Sequence, residues 1–278
     1  MKKTDDRSNI RTFRTSVLKH WREYGRHDLP WRQTNDPYKI LVSEVMLQQT
    51  QVHRVVPKYK EFLKTFPTVR HLARSHLADV LRAWSGLGYN RRAKFLRDAA
   101  VQIVEKLGGK IPRDYETLRA LPGIGDYTAR AIRVFVFNEP DILIETNIRT
   151  AFIHHFYSSI LQNTAIADAD IFALASQTGE GQDPREWHWA LMDYGAYLKR
   201  SGVRTNHRSA HYAKQSKFEG SLRQVRGQVL RNLMKGAKGK KGEKWVEALA
   251  SLVQDGLVVE QKGSTRGGSA LGRKWRIA

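Results

Sequence analysis

Two carboxylates and one short glycine-containing string are the parts of this 278-residue chain best suited to chemistry. Glu44 lies in a stretch that opens with Asp36-Pro37, an N-cap carboxylate followed by proline in the first helical turn. On that helix its i−4, i−3 and i+3 neighbours are Ile40, Leu41 and Leu47, so the carboxyl sits beside an apolar stripe. Desolvation there would raise its pKa, which suits a general acid near neutral pH. Taken alone, such a glutamate more often flanks the core or snorkels out of it. Glu145 follows the apolar Ile142–Ile144 and precedes Thr146-Asn147 at a helix start, where by itself it is simply a helix-initiating acid. The third element is LPGIGDYT, Leu121–Thr128. Its glycines, two apart, permit a tight turn and close backbone approach. Asp126 is placed to cap the second helix, whose free N–H groups would form an anion site. An ordinary hairpin of two helices is the plainer alternative, and the Leu-Pro-Gly-Ile-Gly string argues against it.

The elements that must position these residues read as helices. From Asp36 the apolar spacing is helical to about Leu63, with Pro57 interrupting. Further helices are expected at Leu77–Trp84, Arg91–Leu107, Tyr115–Ala120, Tyr127–Phe137, Ile148–Phe156, Ile166–Thr178 and Glu186–Lys199. Glycine or proline marks the joints, as at Phe66-Pro67, Gly86-Leu87-Gly88 and Gly108-Gly109. The body is therefore all-α. Residues 201–217 are polar and basic, and the pattern then changes. Helices over 218–234 and Lys244–Asp255, with the run KGAKGKKG between them, precede strand-like Leu257–Gln261 and Lys274–Ile277. Helix, basic turn, helix and β-hairpin make a winged-helix-like α+β module. The boundaries expected are 1–215 for the body and 216–278 for the module.

Composition narrows the function. Lys and Arg number 48 against 27 Asp and Glu, a formal charge of +21. Residues 216–278 alone carry fourteen Lys and Arg against five Asp and Glu. Such a balance fits a polyanion, because neutralised phosphates release counterions. An acidic membrane surface is the competing partner, but no basic amphipathic anchor, lipidation motif, secretory signal or spanning segment is visible. There is no cysteine, which excludes disulfides, thiolate metal sites and a cysteine nucleophile. Composition alone favours nucleic acid and leaves the membrane surface open, in what is expected to be an intracellular protein.

LPGIGDYT has the form of a helix-hairpin-helix, which holds a DNA phosphate without reading sequence. Together with LPWR (29–32), SEVMLQQTQV (43–52), FPTV (66–69), GLGYNRRA (86–93), LPGIGDYTARAI (121–132) and ALMDYGA (190–196), it makes residues 28–200 resemble the helix-hairpin-helix DNA glycosylase superfamily. The resemblance is to its adenine-excising mismatch branch, the MutY type.

That resemblance implies a two-lobed fold in which a nucleotide is flipped out of the duplex into a pocket. Glu44 matches the general acid that protonates the leaving adenine. The C1′–N bond breaks through an oxocarbenium-like sugar, and Glu145 stands where the family places a stabilising aspartate. Tyr127 occupies the position at which bifunctional relatives carry a Schiff-base lysine, which implies a monofunctional enzyme. Trp31, Arg32 and Asp193 match adenine contacts, and Gln49 and Tyr89 match residues inserted into the base stack. Asn147 would lie near the catalytic acid, and Arg149 beside the DNA backbone with Gly123, Ile124 and Gly125 of the hairpin. The expected substrate is adenine opposite 8-oxoguanine or guanine in double-stranded DNA. Thymine in T·G pairs is the enzymatic alternative, and a damage-binding protein without turnover the non-enzymatic one.

Three departures stand out. The family's four cluster cysteines fall on Lys199, Asn206, Ser209 and Gln215, so no iron–sulfur cluster or other cofactor is expected. His207 and His211 share that loop at i, i+4, but a solvated basic loop is the expectation there and no metal site. Glu145 is one methylene longer than aspartate, and the large Nudix-like domain of the usual adenine enzyme has no counterpart in the chain.

Overall fold

The computed structural model describes residues 3–158, 164–212, 217–236, 242–261 and 274–278. Gln215, most of the KGAKGKKG run and the segment joining the two strands lie outside the described residues. By contact the chain forms two units. The first comprises residues 1–40, 113–119 and 124–214, and the second residues 41–112, 120–123 and 215–278. Residues 215–278 group by contact with the second unit.

In the first unit, α1 (Lys3–Tyr24) places Phe13, Val17 and Trp21 on one stripe. Phe13 meets Phe152 of α9 (Thr146–Phe156), ring centroids 4.9 Å apart, and Trp187 of α11 (Pro184–Arg200) at 6.1 Å. These three fully buried rings, each contributing roughly 1.5–3 kcal/mol or more by transfer from water, centre the core. The short α7 (Tyr115–Arg119) and α8 (Asp126–Phe137) flank the glycine turn, and α10 (Asp168–Gly179) follows α9.

The second unit begins within α2 (Pro37–Leu47), which Asp36 caps by accepting from the Tyr38 N–H at 2.9 Å. It continues with α3 (Val52–Thr65), α4 (Val69–Arg74), α5 (Leu77–Trp84) and α6 (Arg91–Lys106) around Phe62, Leu72, Trp84, Leu96 and Ile103. It closes with α12 (Leu222–Met234), α13 (Glu243–Gln254), β1 (Val258–Glu260) and β2 (Trp275–Ile277). The strands pair antiparallel with Val258 opposite Ile277, completing the winged-helix-like pattern. Among the described residues no helix is long and apolar enough to cross a membrane.

Three expectations need correction. The helix from Asp36 does not run to Leu63: it breaks at residues 48–51, where Gln49 is left-handed (φ 53°), and Pro57 lies inside α3. Helices α1 and α4 were not anticipated. Asp126 does not cap α8, because Gly125 holds that position. Asp126 is instead the first helical residue, accepting from the Tyr115 hydroxyl at 2.5 Å and from Arg130 Nε at 3.1 Å. Those donors hold its carboxyl below the usual range, the tyrosine hydrogen bond first.

Candidate active site and nucleic-acid interface

Glu44 is buried, with 9% of its surface exposed, on the same helix as buried Ile40, Leu41, Val45 and Met46. The apolar stripe inferred from its spacing is therefore real. Just beyond it α2 ends in a turn that the neighbouring chain fixes from one point. The Arg92 guanidinium, from the first turn of α6, donates to the carbonyls of Val45 (2.8 Å), Met46 (3.0 Å) and Gln48 (2.5 Å). It also donates to Thr50 Oγ1 at 3.0 Å and to the Gly88 carbonyl at 3.2 Å. One side chain thus satisfies terminal carbonyls of α2 and ties its turn to the 85–90 turn. Each turn carries a left-handed non-glycine residue, Gln49 (φ 53°) and Tyr89 (φ 48°). Such backbone costs of order 1–3 kcal/mol per residue and persists only where its surroundings enforce it. Burial lowers the Arg92 pKa to about 10, which still leaves it charged.

Arg92→Lys keeps the charge but cannot fork among five acceptors. It should cost about 1–3 kcal/mol, the penalty for a buried carbonyl left unsatisfied. Thermal unfolding measures it, and an unchanged melting temperature in the lysine variant would show that the turns hold themselves.

In the first unit Glu145 caps α9, its Oε1 accepting from the N–H groups of Asn147 (2.8 Å) and Ile148 (3.0 Å). Burial pushes its carboxyl upward, and those N–H groups with Lys199 and Arg149 only partly offset the rise. Asn147 accepts from Lys199 Nζ at 3.1 Å. The segment leading to Glu145 is fixed by His188, whose Nε2 accepts from the Leu143 N–H (3.1 Å) while Nδ1 donates to the Pro184 carbonyl (2.7 Å). Burial holds that imidazole neutral, with a pKa of about 4. Gly195 of α11 lies against α9, and a Cβ there would overlap the Asn147 carbonyl. The start of α9 is therefore pinned on two sides.

Asp193, expected to touch substrate, is 2% exposed and occupied. Its carboxylate accepts from Arg26 Nε (2.8 Å) and the Arg26 N–H (2.7 Å), and from Arg32 Nη1 (2.8 Å) and Nη2 (3.0 Å). Burial alone would raise its pKa, but the two guanidiniums outweigh that and lower it. The Arg32 guanidinium also lies 5.2 Å from the Trp21 ring and 5.4 Å from the Trp189 ring. In this arrangement Asp193 positions Arg26 and Arg32. Trp31 is 6% exposed in the short 3-10 turn Pro30–Arg32, a core placement.

Arg149, expected at the DNA backbone, is engaged by Asp168 through two 2.7 Å bonds. In the glycine turn Gly123 has φ +75° and no space for a Cβ, which would meet Phe95 Cβ at 2.6 Å. Ile124 is buried, whereas Gly125 is exposed. Tyr127, in the first turn of α8, lines a cavity with Arg130, Ile144 and Asp168. The functional residues missed by the sequence reading are Arg26, Arg92 and His188, whose roles depend on partners more than forty residues away.

Residues 42–183 match the family model of the HhH-GPD superfamily of base excision DNA repair proteins, just over half of the chain. The chain belongs to this superfamily. It is 35% identical over 229 residues to the adenine DNA glycosylase of Mycolicibacterium smegmatis, covering 77% of this chain and 78% of that one. It is 37% identical over 190 residues to the adenine DNA glycosylase of Buchnera aphidicola, covering 67% of this chain but 52% of that one. A thymine/uracil-DNA glycosylase of Pyrobaculum aerophilum is 35% identical over 185 residues, 66% of this chain and 80% of its own. Among solved structures, a thermostable thymine-DNA glycosylase superposes with a TM-score of 0.61 at 24% identity, over 74% of this chain and 97% of that chain, a likeness of fold.

For an HhH-GPD protein, the loop after α11 is the expected seat of an iron–sulfur cluster, and its side chains do not fit one. Lys199 bonds Asn147, Ser209 is buried, and buried Arg208 donates to the Tyr157 carbonyl at 2.8 Å. The Ile166 N–H donates to the Arg208 carbonyl (2.8 Å) and the Ala210 N–H to the Ile166 carbonyl (2.9 Å), so the loop is held by protein hydrogen bonds. A carboxylate approaches His211, Asp168 at 3.7 Å, but Arg149 already engages it. Among the described residues no group of three or more potential metal ligands exists. Purified protein should be colourless, free of stoichiometric iron and fully folded. Elemental analysis with circular dichroism checks this, and one equivalent of zinc lost on replacing His207 and His211 would contradict it.

Proposed function

We propose that this HhH-GPD protein is a monofunctional DNA glycosylase that hydrolyses the N-glycosidic bond of adenine mispaired with 8-oxoguanine or guanine. It would work without a cofactor, as a monomer on duplex DNA in the cytoplasm of a bacterial or archaeal cell. The observation that carries the reading is Glu44: a buried carboxyl on a capped helix, ending at a clamped, strained turn, in a chain 35% identical to an adenine DNA glycosylase over 77% of its length. Glu44 protonates the departing adenine and helps to activate water. Glu145 supplies negative charge to the oxocarbenium-like sugar. Gln49 and Tyr89, presented on their two turns, enter the base stack. The turn Gly123–Gly125 offers backbone N–H groups to a phosphate. Tyr127 cannot form an imine, so the abasic strand is left uncut.

A second reading, thymine removal from T·G pairs, is favoured by the 35% identity to a thymine/uracil-DNA glycosylase. Base release from duplexes bearing A·8-oxoG, A·G, T·G and U·G separates the two. Adenine release is the expected result. Release of thymine or uracil alone would establish the second reading, and tight binding without any release would leave a damage-binding protein.

A further inference from the structure

Lys199, one of the residues that make the loop after α11 unfit for a cluster, is aimed at the start of α9. Two contacts one helical turn apart on α11 bring it there. At Gly195 the two helices touch through their backbones, since an added Cβ would lie 2.0 Å from the Asn147 carbonyl oxygen. Four residues on, and so on the same face of α11, Lys199 Nζ donates to Asn147 Oδ1 at 3.1 Å. The N–H of that same asparagine donates to Glu145 Oε1 at 2.8 Å. One ammonium is thus joined to the buried carboxyl through the two ends of a single residue.

The charges around this corner are not equally free to act on Glu145. Arg149 of α9 is held by Asp168 of α10 through two 2.7 Å bonds, and Tyr127 of α8 also acts on its guanidinium. The bond that Lys199 makes is to an uncharged amide, which leaves its charge in place. Arg200, Arg204 and His207 line the same cavity as Lys199 and Asn147, and Arg204 donates to the Lys199 carbonyl at 2.6 Å. Burial pushes the Glu145 carboxyl up, the Asn147 and Ile148 N–H groups oppose it, and Lys199 opposes it next, ahead of Arg149. We propose that Lys199 is a positioning residue for Glu145: its ammonium fixes Asn147 and is the counter-charge that this carboxylate meets at the start of α9. This rests on the catalytic role proposed above for Glu145. A lysine that only packed its stem would be replaceable by an apolar chain of similar length.

Lys199→Met is that replacement, removing both charge and donor. Lys199→Gln keeps a donor and removes the charge, and Lys199→Arg keeps both. Single-turnover adenine release by the full chain from an A·G duplex is followed against pH. The Glu145 carboxyl is titrated separately by carbon NMR, its resonance assigned by its loss in Glu145→Gln. Methionine and glutamine should slow release near neutral pH by about ten- to a hundredfold, as displacement of a catalytic group does. Both should move the acid limb and the carboxyl titration to higher pH by at least about half a unit, because loss of a neighbouring cation favours the protonated acid. Arginine should bring the rate and the limb back toward those of the parent. A limb and a titration left where the parent has them would overturn the assignment even if the rate falls, since a packing defect moves neither. Equal defects in the arginine and methionine variants would overturn it as well. If the methionine variant does not fold, glutamine decides by the same two measures. A parent that releases no base removes the glycosylase reading, and the NMR titration then judges Lys199 on its own.

Discussion

Glu44→Gln should reduce single-turnover adenine excision by at least a thousandfold while leaving duplex affinity within about threefold. General acid–base catalysis contributes typically 10²–10⁴-fold, and Glu44 is assigned both the proton for the leaving base and a share in activating water. Glutamine preserves the shape of the side chain on a helix whose neighbouring positions, Ile40, Leu41, Val45 and Met46, are all buried. Binding therefore has no reason to suffer, because the turns proposed to engage DNA are held by Arg92 and not by Glu44. Thermal unfolding of the variant, unchanged or raised, would show that the loss lies in the chemistry. Excision within about tenfold of the parent would remove Glu44 as the general acid.

What the sequence made legible follows a physical rule. Helices bounded by local signals were placed within a residue or two: Leu77–Trp84 coincides with α5, and the capping carboxylate of Asp36 does what its type and position imply. Helix α1 escaped because its stripe of Phe13, Val17 and Trp21 is set among charged residues, so that only the i, i+4, i+8 spacing could have shown it. Proline is a local signal and suggests an interruption at Pro57, whereas the actual break at 48–51 is held by Arg92 from a different helix. Side-chain roles divide in the same way. The apolar setting of Glu44 was readable from its own helix. The capture of Arg149 by Asp168 and of Asp193 by Arg26 and Arg32 was not, because long-range ion pairs leave no mark on spacing. Charge composition told that a polyanion was the partner but not which arginines were already committed to the protein.

The Glu145 series should separate electrostatics from architecture. Glutamine can still accept the Asn147 and Ile148 N–H bonds through its amide oxygen, so the cap and the melting temperature should change little. On the role proposed for Glu145 the single-turnover rate should nevertheless fall by several orders of magnitude, because the charge that would stabilise the developing sugar cation is lost. Alanine removes the cap as well and should cost about 0.5–2 kcal/mol in stability, which distinguishes it from glutamine. Aspartate is among the best N-cap residues. The start of α9 is pinned by Gly195 against the Asn147 carbonyl and by His188 on Leu143, so the helix cannot slide to absorb a change in arm length. The side chain itself must absorb it, and Glu145→Asp should keep substantial activity or gain some. The pH profile adds an independent signature. Burial raises the Glu145 carboxyl above its ordinary range, and the proposed role requires it ionised. Excision by the parent should therefore fall with decreasing pH along a limb lying above the ordinary glutamate value of about 4.3, and the residual rate of the glutamine variant should lack that limb. A parent that is inert and becomes active only as Glu145→Asp would identify a DNA-binding relative that has lost its chemistry, and equal rates in the parent and the glutamine variant would place Glu145 outside the mechanism.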